Sequence, residues 1–234
     1  MIDKKSAFKA IFSELSQFPI FLGLKTADIE ALCEGGEVVA TSHRHALFHF
    51  DDDAHYFGIV LSGAYKLSKP TPSGNDVIIY FSTPGDVIAA FIMSQPAPKY
   101  PVSAIAMGPS RFLKLPRSVY LNQWVKYPEM ILRLQNSLST RVGQLHNYQV
   151  LSKAPLATKV ASLLMQMLQK SEDKNDLTLP SPLTRKEIAD SLGASVESVI
   201  RVMSEWSKAG IIETKDHQIK ILKLEKIIEM MKQQ

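Results

Sequence analysis

Near the C-terminal end of this 234-residue chain, Glu197 and Arg201 stand four residues apart in the stretch "ASVESVIR". That spacing puts both side chains on one face of a helix. A guanidinium can fork onto guanine N7 and O6, and a carboxylate can accept from cytosine N4, so the pair is suited to reading base edges. A second group of reactive side chains lies in "HRHALFHFDDDAH", residues 43–55, with four of the chain's six His and three consecutive Asp. On a strand, His43, His45 and His49 would share a face and could hold a metal ion.

The elements that must position Glu197 and Arg201 are legible around them. Thr184 and Glu187 have the T-x-x-E spacing of a capping box, which starts a helix at Arg185. Ala189, Gly193 and Val199 follow Arg185 by four, eight and fourteen residues. This is the arrangement of a helix-turn-helix: a small residue where the helices cross, a Gly at the corner and an apolar residue pinning the second helix. Ser195 can cap that second helix. Ile188, Leu192, Val199, Val202, Met203 and Trp206 form the stripe expected to be buried, leaving Val196, Glu197, Ile200 and Arg201 to face outward. Gly210 ends the helix, and "IIETKDHQIKIL" reads as two strands around Lys215-Asp216-His217, a β-wing. Lys186 and Lys215 suit phosphates, and Thr184, Arg185, Ser195 and Ser198 complete the set expected to face DNA. The competing reading is an ordinary helical hairpin with a surface Arg and Glu; the capping box, the wing and the long helix upstream together favour the helix-turn-helix.

Upstream, Tyr127-Pro128-Glu129 is a helix start. Apolar residues then recur at Ile131, Leu134, Leu138, Val142, Leu145 and Tyr148, in steps of three and four. Such steps describe a coiled-coil seam, so the helix is expected to pair with a second copy as a parallel homodimer. Reaching Ser152, it would hold about 25 residues and be roughly 37 Å long. Pro155 opens another helix. From about 37 to 115, short β-rich runs alternate with turns at Ser62-Gly63, Pro72-Ser73-Gly74-Asn75, Pro84-Gly85-Asp86 and Gly108-Pro109, the texture of a β-sandwich or β-roll. Residues 5–34 read as two short helices, the second capped by Thr26 and stopped at Gly35-Gly36. The expected organisation is α+β: a β-roll domain over 1–126, a dimerisation helix over 127–152 and a winged helix-turn-helix over 153–234.

Composition sets limits on function. Hydrophobic residues make up 45% and charged residues 21%, as in globular proteins. The net charge of +4 permits a polyanionic partner without demanding one. Cys33 is the only cysteine. Disulfide frameworks, thiolate zinc sites and four-cysteine iron–sulfur clusters are therefore excluded within one chain. The longest apolar runs, such as 87–93, are too short to span a bilayer. The opening "MIDKKSAFKA" lacks the apolar core of a secretory signal, so no membrane partner and a cytoplasmic location are expected.

With "YFGIVLSGAYKL" and "PGDVI" in the β-rich half, "YPEMILRL" opening the long helix and "ASVESVIR" in the helix-turn-helix, nearly the whole chain resembles the CRP/FNR transcription regulators. The resemblance implies a β-roll sensor (a double-stranded β-helix), and it implies that Glu197 and Arg201 read bases in double-stranded DNA carrying an inverted repeat. RNA polymerase is a further partner it allows. Val196 stands where cyclic-AMP regulators carry an Arg, as in the FNR branch, while Ile200 departs from both branches.

The resemblance also locates the effector region. The Glu and Arg that hold a cyclic nucleotide in that family correspond to Ala90 and Val102, although Ser103 is kept. Without the Arg, a phosphodiester has no bidentate anchor, and Lys99 offers only a point charge. Leu145 and His146 replace the polar pair that meets adenine. Phe91, Met93, Val102, Ser103, Leu145 and Tyr148 are then the candidate pocket residues, an apolar set. It suits a small apolar molecule or a haem better than cyclic AMP, and it equally suits packed core. Two rival functions remain on the page. One is a cupin-like metal-dependent enzyme built on His43, His45 and His49; the other is a cyclic-nucleotide effector acting through protein partners. The first wants a further His from a downstream strand, yet none follows His55 until His146. Both leave the helix-turn-helix without a use, so neither a catalytic residue nor a metal site is assigned.

Overall fold

The computed structural model describes residues 11–72, 74, 76–170 and 175–232, except for the side chain of Tyr148. Two compact units emerge. One is drawn from residues up to 66 and from 82–141, the other from 67–81 and from 142 onward.

The short β-rich runs supply most of the first unit, with those over 67–81 falling in the second. Eight strands, β1 (Glu37–Thr41), β2 (Ala46–Phe48), β3 (Tyr56–Ser62), β4 (Tyr65–Pro70), β5 (Asp76–Ser82), β6 (Val87–Ile88), β7 (Ser103–Ala106) and β8 (Ser110–Pro116), make two four-stranded sheets. Their orders are β1-β8-β3-β6 and β2-β7-β4-β5, which is the expected β-roll. Antiparallel β3 and β8 pair from Tyr56↔Pro116 to Ser62↔Arg111. Strand β3 is buried from Phe57 through Leu61 rather than on alternate residues. Both its faces are covered: Phe57 meets the edges of Tyr120 and Trp124 at 5.7 and 4.8 Å, and beside Val60 the ring of Phe112 reaches Tyr65 of the other sheet at 5.9 Å.

Helices precede and follow these strands. They are a stretch at residues 11–15, α1 (Thr26–Leu32), α2 (Arg117–Asn122) and the long α3 (Pro128–Val150). Thr26 is the first helical residue and not the N-cap expected of it; Lys25 occupies that position without a side-chain hydrogen bond. Trp124, fully buried, donates through Nε1 to the Leu32 carbonyl at 2.8 Å. Cys33 has no exposed surface, and burial pushes its thiol up to about 12, so it is an inert core residue. Helix α3 begins at Pro128 as the sequence predicts and holds 23 residues before a 3₁₀ turn at Leu151–Lys153. Arg133 fastens its first half to the chain before α1, donating to the carbonyls of Pro19, Ile20 and Leu22 at 3.2, 2.9 and 2.7 Å.

The second unit contains α4 (Leu156–Gln169), α5 (Arg185–Leu192), α6 (Val196–Lys208), the hairpin β9 (Ile212–Lys215) and β10 (Gln218–Ile221), and α7 (Leu224–Met231). Its core is Val160, Leu163, Leu164, Met167, Ile188, Val199, Met203, Ile212, Ile219 and Ile227, each at most 1% exposed. Strand β5 belongs largely to this unit, where Lys170 Nζ donates to the Phe81 carbonyl at 2.7 Å and the Tyr80 hydroxyl at 2.8 Å.

Gly58, in the middle of β3, has no room for a side chain. A Cβ there would lie 1.9 Å from the Leu113 carbonyl and 2.7 Å from the Phe112 ring. Gly58→Ala is expected to force β3 and β8 apart and to cost about 1–3 kcal/mol or more. Urea unfolding followed by circular dichroism measures the loss, and a midpoint equal to the parent's would contradict this packing.

Candidate nucleic-acid interface

Two polar caps and one glycine set the ends of α5 and α6. At the start of α5, the Thr184 hydroxyl oxygen accepts from the Glu187 backbone N–H at 3.1 Å, and Glu187 Oε2 accepts from the Thr184 N–H at 3.0 Å. The capping box is therefore present in both directions. Gly193 ends α5 in the left-handed region at φ 60, ψ 37, a conformation that costs glycine nothing. The Ala194 N–H returns to the Ala189 carbonyl at 3.1 Å, closing the corner over the small residue. Ser195 then caps α6, accepting from the Ser198 N–H at 3.2 Å, and its own hydroxyl donates to Ser198 Oγ at 3.0 Å.

Helix α6 is fixed by what its inner face buries. Val199, Met203 and Trp206 are 0%, 1% and 5% exposed, with Ile188 of α5 against them at 0%. Leu192 and Val202, expected in that stripe, are half-buried at its edges. Of the four residues expected to face outward, Glu197, Ile200 and Arg201 are exposed, whereas Val196 is half-buried. Val196 is the first residue of α6.

The wing packs behind α6 through Ile212, Ile219 and Ile221. Its strands pair from Ile221↔Ile212 to Gln218↔Lys215. The turn is the two residues Asp216 and His217, both at positive φ (49 and 63), a type I′ geometry that leaves Lys215 as the last strand residue. The backbone of residues 177–179 adds a third edge: the Leu179 N–H donates to the Ile219 carbonyl and the Ile221 N–H to the Leu177 carbonyl, both at 2.9 Å.

The cations are unequal. Lys186 is exposed and pairs with Asp190 one turn on at 3.2 Å. Lys215 is exposed beside the turn. Arg185 is half-buried, and its Nη2 donates to the Thr214 hydroxyl of β9 at 3.0 Å. Burial pulls its pKa below the usual guanidinium value, which leaves an Arg charged all the same. Thr214 was not among the residues singled out from the sequence. The alternation along β9 could have found it, because Ile212 and Thr214 share a strand face, and that face is turned inward.

The residues proposed for an effector are not one lined cavity. Met93 has no exposed surface, and the Ser103 hydroxyl accepts from the Phe50 N–H at 2.9 Å. Phe91 is 45% exposed and edges a cleft of about 20 Å³ with Leu134 and Leu138. Val102 is half-buried. Leu145 lines a different cavity, of about 180 Å³, with Val77, Phe81 and Met167. Tyr148 lies outside the described side chains. Lys99 spends its charge on Asp51 at 3.0 Å.

His43, His45 and His49 do not share a strand face. Arg44 between the first two adopts positive φ (66), strand β2 spans only Ala46–Phe48, and its pairing slips between those residues. His43 Nδ1 is instead hydrogen-bonded to the Met107 carbonyl at 2.8 Å. Among the described residues, no three of His, Cys, Asp and Glu gather closely enough to hold a metal ion.

Along α3 the expected seam is largely bare. Ile131 and Leu134 are half-buried, and Leu138, Val142 and Leu145 are 40%, 41% and 43% exposed. No helix among the described residues is long and apolar enough to cross a membrane.

Comparison with known proteins agrees with this geometry at both ends of the chain. The cyclic nucleotide-binding domain family matches residues 38–126, and the Crp-like helix-turn-helix domain family matches residues 158–230. The CRP-like cAMP-activated global transcriptional regulator of Mycobacterium tuberculosis is 24% identical, over 91% of this chain and 96% of its own. The transcriptional activatory protein AadR of Rhodopseudomonas palustris is 28% identical, over 85% of this chain and 83% of its own. In three dimensions the fold resembles that of FixK2 from Bradyrhizobium japonicum, with a TM-score of 0.73 at 20% identity, over 83% of this chain and 96% of that one.

Replacing the N-cap isolates what the capping box contributes. Thr184→Ala removes the acceptor for the Glu187 N–H and is expected to cost about 1–2 kcal/mol. Thermal melting should register the loss, and a variant as stable as the parent would show that α5 does not depend on its cap.

Proposed function

The chain belongs to the CRP/FNR family of transcription regulators, and from that premise we propose that it acts as a homodimer reading an inverted repeat through α6. The observation that carries this reading is the division of α6 into two faces. Val199, Met203 and Trp206 hold one face in the core, while Glu197, Ile200 and Arg201 are left to solvent at the end nearest the corner. In a helix-turn-helix, that end enters the major groove. Arg201 forks onto a guanine and Glu197 accepts from a cytosine on the same face. Ile200, 46% exposed, offers an apolar contact of the kind a thymine methyl takes. Val196, Ser195, Ser198 and Thr184 border these readers; Arg185, Lys186 and Lys215 meet phosphates, which position the protein without specifying sequence.

The partner is a second copy. Leu138, Val142 and Leu145, with Ile131 and Leu134 before them, form a stripe in steps of three and four, and three of the five are 40% exposed or more. A parallel coiled coil hides such a stripe and sets two recognition helices roughly 34 Å apart, one DNA turn. In this arrangement residues 1–126 are the sensor, 127–152 the dimer helix and 153–234 the DNA-binding domain.

The effector we infer is not cyclic AMP. That ligand belongs by name to the mycobacterial relative, but the residues here do not fit it. Ala90, 2% exposed, and Val102 supply neither the carboxylate nor the guanidinium that ribose and phosphodiester require, and Lys99 is engaged by Asp51.

Two measurements check the reading. Arg201→Ala should lose about 1–3 kcal/mol per half-site and relax the choice at one base pair, as read by selection from random duplexes. The same motif for variant and parent would remove Arg201 from the readers. In sedimentation, the parent should run as a dimer of 26.1 kDa chains, and Leu138→Glu combined with Val142→Glu should run as single chains. A parent that sediments as a monomer would end the dimer reading.

A further inference from the structure

We propose that Thr214, on the first strand of the wing, is a positioning residue that aims Arg185 at a DNA phosphate, so that the wing and the first helix of the corner grip the backbone as one device. The inference rests on the reading of α5, α6 and the wing as a DNA-binding surface and adds to it a residue and a role.

The geometry begins with strand alternation. Ile212 is buried, so Thr214, two residues on, is on the same inward side, while Glu213 and Lys215 face solvent. Inward at this point means toward the start of α5, because Thr214 is where Arg185 Nη2 ends, at 3.0 Å. A threonine suits the place on two counts. Its β-branch favours the strand, and its hydroxyl can accept from a guanidinium where the valine of equal shape cannot.

What Arg185 lacks is as informative as what it holds. Among the described residues, no carboxylate pairs with it. Other charged side chains find one: Lys186 has Asp190, Arg111 has Glu14, and Arg141 has Asp86. A half-buried cation held by a single neutral hydroxyl has given up part of its hydration without gaining a counter-charge. It is therefore poised for an anion from outside. In a helix-turn-helix that presents the exposed Glu197 and Arg201 to bases, the anion that fits is a backbone phosphate, which a guanidinium can meet with two parallel N–H groups. Its planar fork is useful only if its orientation is fixed, and the bond to Thr214 fixes one edge while leaving the others to bind.

Phosphate contacts appear in the salt dependence of binding, and a merely structural threonine would not alter it. Each contact contributes about 0.9 to the slope of log K against log salt, so a dimer losing two should show a slope smaller by about two. Thr214→Val, Thr214→Ser, Arg185→Gln and the Thr214→Val/Arg185→Gln pair would be titrated as full chains with the duplex selected by the parent. We expect Thr214→Val to lower the slope nearly as far as Arg185→Gln does. Thr214→Ser should match the parent, and the double variant should match Arg185→Gln alone, since a residue acting only through Arg185 adds nothing once Arg185 is gone. The selected motif should be the same for all of them. The proposal is overturned by a Thr214→Val slope equal to the parent's, or by an equal loss from Thr214→Val with and without Arg185. If Thr214→Val does not fold, Thr214→Ala is read by the same criteria. Should Arg185→Gln keep the parent's slope while Arg201→Ala still changes the motif, Thr214 and Arg185 fall and the DNA reading stands. Should the parent select no duplex at all, both fall together.

Discussion

A left-handed residue at position 193 is the constraint on which the exposed face of α6 depends. Between the end of α5 at Leu192 and the start of α6 at Val196, the chain must reverse within three residues while keeping Ile188 against Val199 and Met203. Gly193 at φ 60 does this without the strain of about 1–2 kcal/mol that an L side chain pays there. The Ser195 hydroxyl, accepting from the Ser198 N–H, and the Ala194 N–H, donating to the Ala189 carbonyl, then satisfy backbone groups that the reversal frees. The Thr184–Glu187 box does the same at the far end of α5. Because the inner face of α6 is committed, the direction of its outer face is settled. Glu197 and Arg201 are presented by the packing of residues that never approach a ligand.

The same division of labour recurs on α3. Besides the buried Met130, polar contacts tie it to the rest of the first unit: Arg133 on three carbonyls of the chain before α1, then Arg141 on the Val87 carbonyl at 2.9 Å and on Asp86 at 3.5 Å. Asp86 also accepts from the Thr83 N–H at 2.8 Å, so the Arg141 pair sits within a hydrogen-bonded turn. A partly buried ion pair of this kind is weak evidence for stability, because desolvation offsets the Coulombic gain. Its better attested effect is on register. Here it holds Arg141 of α3 at the Asp86–Val87 turn.

How much of this was legible in the sequence depended on the range of the interactions. The capping box, the left-handed glycine and the proline at the start of α3 are local, and each appeared where its spacing put it. The wing was legible too, although the sequence overstated its turn by one residue because Lys215 reads equally well as turn or strand. Thr26 was misread as a cap since a Thr before an acidic turn looks the same at the N-cap and at the first helical position, and only the backbone of Lys25 decides. The histidines failed for a similar reason. An H-x-H on a continuous strand points both rings one way, but one positive φ at Arg44 breaks the alternation, and no propensity announces it. Thr214 stayed hidden because its significance is a partner 29 residues away.

The effector region shows where sequence correspondence and geometry part. Correspondence with the family nominates positions along residues 90–103, yet the chain has already used several of them internally. Arg117 donates to the carbonyls of Met93 and Gln95 at 2.9 and 2.6 Å, Ser103 serves the Phe50 N–H, and Ala89 takes positive φ (65) with its methyl buried. The guanidinium nearest this loop, that of Arg117, is thus spent on the loop's own carbonyls, and a phosphodiester would have to displace those bonds to reach it. An apolar occupant faces no such competition, because Phe91 and Leu138 gain from any cover that excludes water. The loop also lies next to the one turn, Asp86–Val87, that Arg141 holds. A change in the loop therefore has a short path to α3, from Ala89 back along the chain to Val87 and across the hydrogen bond from Arg141, and α3 runs on unbroken from Arg141 to Val150. The element that would be hidden in a dimer and the element that would feel a ligand are thus the same helix.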